Sequence, residues 1–184
     1  LAAQSRPVKV AANGGIERLQ QQMQEQAVAS VRRPKRVDGM TPASVKREWL
    51  YDPSIVTEDD IVDAKGNLIA ARGTRVNPLD MVQLSQALVF IDGDNPAELA
   101  WAVKTWSDAR AKIIFVSGSP FDAMKPWQRR FYFDQGGTLT GKFGIRHTPA
   151  VVSAAGSNLK ISEIPLPPPA VSPASALSGG GKVS

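Results

Sequence analysis

The sequence predicts an α/β protein, and three observations carry the prediction. Two strongly apolar runs, Ala87-Leu88-Val89-Phe90-Ile91 and Lys112-Ile113-Ile114-Phe115-Val116, have the character of strands buried on both faces. Between them Asn95-Pro96-Ala97-Glu98 opens a helix. Asn95 caps it, Pro96 suits the first helical position, and Glu98 stands where a carboxylate reaches back. Near the end, Ala150-Val151-Val152-Ser153 and Leu159-Lys160-Ile161-Ser162-Glu163-Ile164 flank Gly156-Ser157-Asn158 as a hairpin.

Four regions follow along the chain. Residues 1–40 read as an N-terminal helical arm with a basic linker. Past Asn13-Gly14-Gly15, Ile16, Leu19, Met23, Ala27 and Val31 recur at three- and four-residue steps, one narrow apolar stripe on a Gln-rich helix. Such a helix is marginal alone and must pack on its own domain or on another chain. Arg32-Arg33-Pro34 and the polar stretch to Gly39 read as a solvated linker.

Residues 41–83 form a small β-rich element. Ile61-Val62 and Leu68-Ile69-Ala70 flank Asp63-Ala64-Lys65-Gly66-Asn67, a hairpin signal, and Trp49, Leu50 and Tyr51 anchor the way in. Residues 84–164 hold the main domain, where strand, helix and strand make a parallel, right-handed βαβ unit with Leu99, Ala100, Val103 and Trp106 as the buried helix stripe. A short helix over 120–127, a strand over 131–133 and a helical turn over 138–143 follow. Residues 165–184 contain five Pro, four Ser and three Gly, a composition expected to stay disordered or extended.

Composition excludes several chemistries. The 184 residues include no Cys and one His, which rules out disulfides, thiolate nucleophiles, thiol redox couples and multi-histidine metal sites. No apolar run approaches the ~20 residues needed to cross a bilayer. Residues 1–47 carry nine Lys/Arg against three Asp/Glu, residues 48–164 twelve against fourteen, and residues 165–184 only Lys182. The basic character therefore sits in the leading segment, above all Arg32, Arg33, Lys35 and Arg36. The first residue is Leu1 rather than Met, and an upstream piece such as a secretory signal is expected to have been removed.

Asp92-Gly93-Asp94 at the carboxyl end of a buried strand is the sharpest catalytic candidate. Two carboxylates there suit Mg²⁺, with Asp92 as a phosphoryl-accepting nucleophile, and Ser117-Gly118 ends the next strand as in haloacid-dehalogenase-like phosphatases. The position after the second Asp departs from that pattern, because Asn95-Pro96 drives straight into a helix, which favours a capping role. His147 lacks a partner set for a Ser-His-Asp triad and reads as a loop residue beside Thr148-Pro149. No phosphate-binding glycine motif is present.

Phe143-Gly144-Ile145-Arg146-His147-Thr148-Pro149-Ala150-Val151-Val152 looks like the cis-proline loop of thioredoxin-like proteins leading into their third strand. The order of strands and helix agrees. Where thioredoxins place Cys-x-x-Cys, this chain reads Asp92-Gly93-Asp94-Asn95-Pro96, so the expected fold is a thioredoxin-like domain lacking redox cysteines, preceded by a small β element and an N-terminal helical arm.

A narrower resemblance joins Leu50-Tyr51-Asp52-Pro53-Ser54, Asn77-Pro78-Leu79, Phe90 to Ala97, Ala100-Trp101, Lys112-Ile113-Ile114, Gly118-Ser119, Tyr132 to Gly137 and Phe143-Gly144-Ile145. Together these segments, spread over residues 45–164, resemble the TraW family of F-type conjugative transfer systems. The resemblance implies a non-enzymatic periplasmic component of a type IV secretion apparatus, exported by a signal peptide, needed for pilus assembly and acting with TrbC. It transfers no catalytic residue, cofactor or metal ligand. The expected contacts are Ile16, Leu19 and Met23 on the arm, one of Trp101 and Trp106 on the helix, and a cleft at Pro149 whose exposed backbone pairs with an extended partner segment. A Mg²⁺-dependent phosphatase at Asp92 and Asp94 and a DNA-binding role for residues 32–36 are the rival readings.

Overall fold

The computed structural model describes residues 10–168. Helix α1 (Val10–Arg32) leads into β1 (Thr41–Pro42) and β2 (Arg47–Tyr51). A small module of β3 (Ile55–Val56), β4 (Ile61–Val62), β5 (Leu68–Ala70) and β6 (Arg75–Val76) ends in the single turn α2 (Pro78–Met81). There follow β7 (Ala87–Asp92), α3 (Pro96–Thr105), β8 (Ala111–Ser117), α4 (Pro120–Trp127), β9 (Phe131–Phe133), α5 (Thr138–Phe143), β10 (His147–Thr148), β11 (Ala150–Ala155) and β12 (Asn158–Glu163).

The core is a mixed six-stranded sheet in the order β2-β12-β11-β7-β8-β9. The two apolar runs lie at its middle as parallel neighbours, Val89 opposite Ile113 and Phe90 opposite Ile114. Alternation along each strand feeds two cores. On one face Phe90, Ile114, Val116, Val152 and Ile161 pack with Phe143 and Ile145. On the other, Val89, Ile91, Ile113, Phe115 and Val151 pack under α3 and α4. The β11–β12 hairpin reaches to Ala155 and Asn158, closer to its turn than expected, because Gly156 takes φ +62° and closes the loop in two residues.

Helix α3 starts as expected, with the Asn95 side chain accepting from Ala97 N at 3.0 Å and Pro96 at its first position. Its buried face is set differently. Ala102 and Glu98 are the buried residues, Leu99, Val103 and Trp106 are half-buried, and Ala100 points to solvent. Glu98 belongs to that stripe because its carboxyl turns inward, reaching back to the Asn95 cap as expected and also across to Thr148.

Further observations concern the edge strand, the small module and the arm. Trp49, Leu50 and Tyr51 do not merely lead into the small module; they form an edge strand antiparallel to β12, with Trp49 Nε1 donating to Phe143 O at 3.0 Å. In the module, β4 and β5 pair as the hairpin signal predicts, and β3 pairs with β6 around them. Helix α1 begins at Val10 and runs through Asn13-Gly14-Gly15, since glycine costs only about 1 kcal/mol in a helix and removes no backbone donor. The expected disordered tail, residues 165–184, lies outside the described residues from residue 169 onward.

Candidate functional site

The carboxyl ends of β7 and β8 turn into α3 and α4 side by side, and both turns depend on glycine. A Cβ on Gly93 would land on the Phe115 ring and 2.6 Å from Ser117 O, while Gly118, at φ +94°, would place one 2.9 Å from Gly93 C. Only bare backbone permits this approach, which Gly93 N seals by donating to Ser117 O at 2.9 Å.

Across these turns run residues 32–43, of which 32–39 were expected to be a solvated linker. They form a strap. Val37 and Met40 are buried in the core, and Val37 N donates to Val116 O at 2.8 Å. Ser119 Oγ donates to Arg32 O at 2.6 Å, and Arg32 pairs with Asp122 at 2.7 Å. Arg33 contacts both oxygens of Asp94 at 2.8 and 2.9 Å, and Arg36 lies 3.5 Å from Asp92. The missed signal was small: two apolar residues, Val37 and Met40, inside a polar stretch.

These contacts define what Asp92 and Asp94 do. Asp92 accepts from Asp94 N at 2.9 Å, which shapes the turn, and Asp94 accepts from Ser117 Oγ at 2.6 Å. The Ser117 hydroxyl, and after it the Arg33 guanidinium, hold the Asp94 carboxyl below the usual carboxylate range. The Mg²⁺ pair of the rival reading is thus the acceptor set of the strap arginines. Among the described residues no group of three or more His, Asp or Glu side chains is arranged to hold a metal ion.

Two buried glutamates fix the loop before Pro149. Glu98 accepts from Asp92 N at 2.8 Å through one oxygen, and from Thr148 Oγ1 and Asn95 Nδ2, both at 3.2 Å, through the other. Burial pushes its carboxyl up, against the opposing pull of those hydrogen bonds. Glu163 is fully buried and accepts from Arg146 N at 2.8 Å and His147 N at 3.1 Å, with Arg47 at 3.2 Å. The reach of Glu98 back to the Asn95 cap was legible in the sequence, whereas its bond to Thr148 and the role of Glu163 were not, because these bridge segments far apart in the chain.

The segment around Pro149 therefore lies beside the turn at Asp92, as expected, but no open cleft separates them. The Thr148–Pro149 bond is cis, and Pro149 is buried. The backbone flanking it is already paired within the chain, with Thr41 N donating to Arg146 O at 3.2 Å and Ala43 N to Thr148 O at 2.8 Å. His147, expected in a loop, lies in the two-residue strand β10 paired with β1, its Nδ1 2.8 Å from Thr41 Oγ1.

The arm behaves oppositely. Ile16, Leu19 and Met23 are 55%, 56% and 61% exposed, and α1 meets the domain only at its last turns beside α4. Of the two options for the apolar stripe, folding back is not the one adopted. Trp101 and Trp106 were expected to divide into one buried and one free. Both are half-buried against the same core, Trp101 within α3 and Trp106 at its extended C-cap, where the chain has left the helix.

No protein-family model matches the chain, and no solved structure matches it. A curated protein does: the chain is 36% identical over 156 residues to Protein TraW of Escherichia coli strain K12, covering 83% of this chain and 74% of that protein. The chain belongs to the TraW family. Membership implies a part in F-type conjugative transfer and pilus assembly. Ser117 and His147 contact Asp94 and Thr41 rather than one another. Among the described residues no helix is long and apolar enough to cross a membrane.

Proposed function

We propose that this chain is a non-enzymatic scaffold of the conjugative type IV secretion machinery that acts in the periplasm by binding TrbC and other envelope components. The observation that carries the reading is the arm. A 23-residue helix presents Ile16, Leu19 and Met23 to solvent while its base is fastened to the domain by Arg32, Arg33 and Ser119. Exposed apolar residues on a long isolated helix are stabilised by a partner's groove, and a fixed base means that little orientational freedom is lost on docking.

The domain behind the arm is a thioredoxin-like frame emptied of its cysteines, with Asp92 to Pro96 at the redox position. The parallel β7–β8 pair beside the antiparallel β11–β12 hairpin supports this reading. Trp101, half-buried on α3, and the strap-covered loop at Pro149 are secondary candidates for contact, Pro149 by positioning the pairing between residues 41–43 and 146–148 rather than by touching a partner.

The test is capture of TrbC by the intact chain and by Ile16→Asp/Leu19→Asp. The expected result is loss of the complex with an unchanged unfolding midpoint for the domain. Undiminished capture overturns the arm as the contact.

A further inference from the structure

Two surface features serve neither the strap nor the arm. One is a groove of about 530 Å³ between the strap and the segment from Gln135 to Gly141. Its floor includes Val37, Met40 and Ile145, and its rim carries Lys35, Arg36 and Arg146. Side chains added at Gly136 or Gly141 would meet nothing within 4 Å, so that wall is low and open. Asp38 is the only acidic lining residue, and it pairs with Lys35 at 3.3 Å. The Arg146 guanidinium has no ion-pair partner among the described residues; its backbone is engaged, N by Glu163 and O by Thr41 N.

The other feature is the turn between β3 and β4, where Glu58, Asp59 and Asp60 are exposed beside Ile55 and Val56, 49% and 63% exposed. The turn is braced from beneath. Buried Thr57 donates through Oγ1 to Ala71 O at 2.6 Å and accepts from Thr74 N at 3.1 Å, and Asp60 accepts from Arg72 N at 2.7 Å. Glu58 and Asp59 have no cation partner among the described residues. The result is a firm acidic prong with apolar shoulders. It lines no part of the basic groove within one chain.

The geometry points to the groove as a docking site for the Ile55–Ile61 prong of a second copy of this chain. Charge and polarity match on both levels: carboxylates meet the Lys35 and Arg146 rim, and Val56 or Ile55 meets the apolar floor. Because groove and prong are different surfaces, the contact is head-to-tail and an open assembly leaves a groove unfilled at one end and a prong at the other, so it extends or closes as a ring. This goes beyond the proposed binding of envelope partners through the arm.

Sedimentation of the full chain tests it with two variants. Lys35→Glu/Arg146→Glu alters the groove and spares the ion-paired Arg36; Glu58→Lys/Asp59→Lys alters the prong and spares Asp60. The wild type is expected to associate beyond a dimer at about 50 mM salt and to dissociate at about 500 mM, where screening is several-fold shorter in range. Each variant alone is expected to be monomeric. Their equimolar mixture at low salt offers the intact groove to the intact prong and the acidic variant groove to the basic variant prong, and should restore association that neither variant shows alone. A monomeric wild type at low salt, a variant that associates like the wild type, or a mixture that stays monomeric overturns the inference, as does association abolished by Ile16→Asp/Leu19→Asp.

Discussion

Glu98 and Thr148, fifty residues apart in sequence, share a buried hydrogen bond of 3.2 Å that ties the start of α3 to the loop entering β11. The second Glu98 oxygen takes Asp92 N at 2.8 Å. One carboxyl thus joins three segments: β7, α3 and the loop before Pro149.

Burial raises the Glu98 carboxyl above its ordinary value near about 4.3, so the folded chain holds that proton more tightly than the unfolded one. The stabilisation is complete below the ordinary value and is lost as pH rises through the raised one. Glu98→Gln mimics the protonated form. Its midpoint relative to wild type is expected to rise between acid and neutral pH in thermal unfolding, and a difference that stays constant with pH refutes the assignment.

Glu163 presents a different balance, since it is fully buried yet accepts two backbone donors and Arg47. Glu163→Ala strands Arg146 N and His147 N and is expected to cost about 3 kcal/mol in urea unfolding. Glu163→Gln keeps an acceptor and is expected to cost about 1 kcal/mol.

The strap is held by burial more than by charge. Met40→Ala removes a buried side chain and should cost about 2–4 kcal/mol, whereas Arg33→Ala breaks an ion pair whose partners are 61% and 41% exposed and should cost under about 1 kcal/mol. Urea midpoints of the two variants separate these terms; equal losses would reverse the ranking.

Two glycines on the same fold are expected to answer oppositely to one substitution. Gly93→Ala drives a methyl into Phe115 and Ser117 O and should destabilise by more than about 3 kcal/mol. Gly141→Ala, inside α5 with open space at its Cβ, should be neutral or stabilise by up to about 1 kcal/mol. Thermal midpoints of both variants check the contrast.

Much of the frame was legible because its signals are local. The apolar runs at 87–91 and 112–116, the Asn95-Pro96 helix start and the Gly156 turn each carry their own geometry, and each appears where the pattern put it. The site was less legible. Asp92 and Asp94 advertise a metal pair when read in sequence, and become arginine acceptors only once a segment sixty residues earlier lies across them. Likewise Trp49 to Tyr51 read as a lead-in to a hairpin, although their partner, β12, follows more than a hundred residues later.

The amino-acid order by itself determined the two central strands, the closing hairpin, the caps, the lack of sulfur chemistry and the family, since periodicity, residue type and ordered motifs act over a few neighbours. Tertiary structure alone decided that residues 32–43 are a fastening rather than a tether, that the backbone beside Pro149 is filled by its own chain, and that the arm is left bare. Those outcomes depend on which distant donors find which acceptors, and on which apolar side chains find room in a core already closed, and neither is encoded in spacing along the chain.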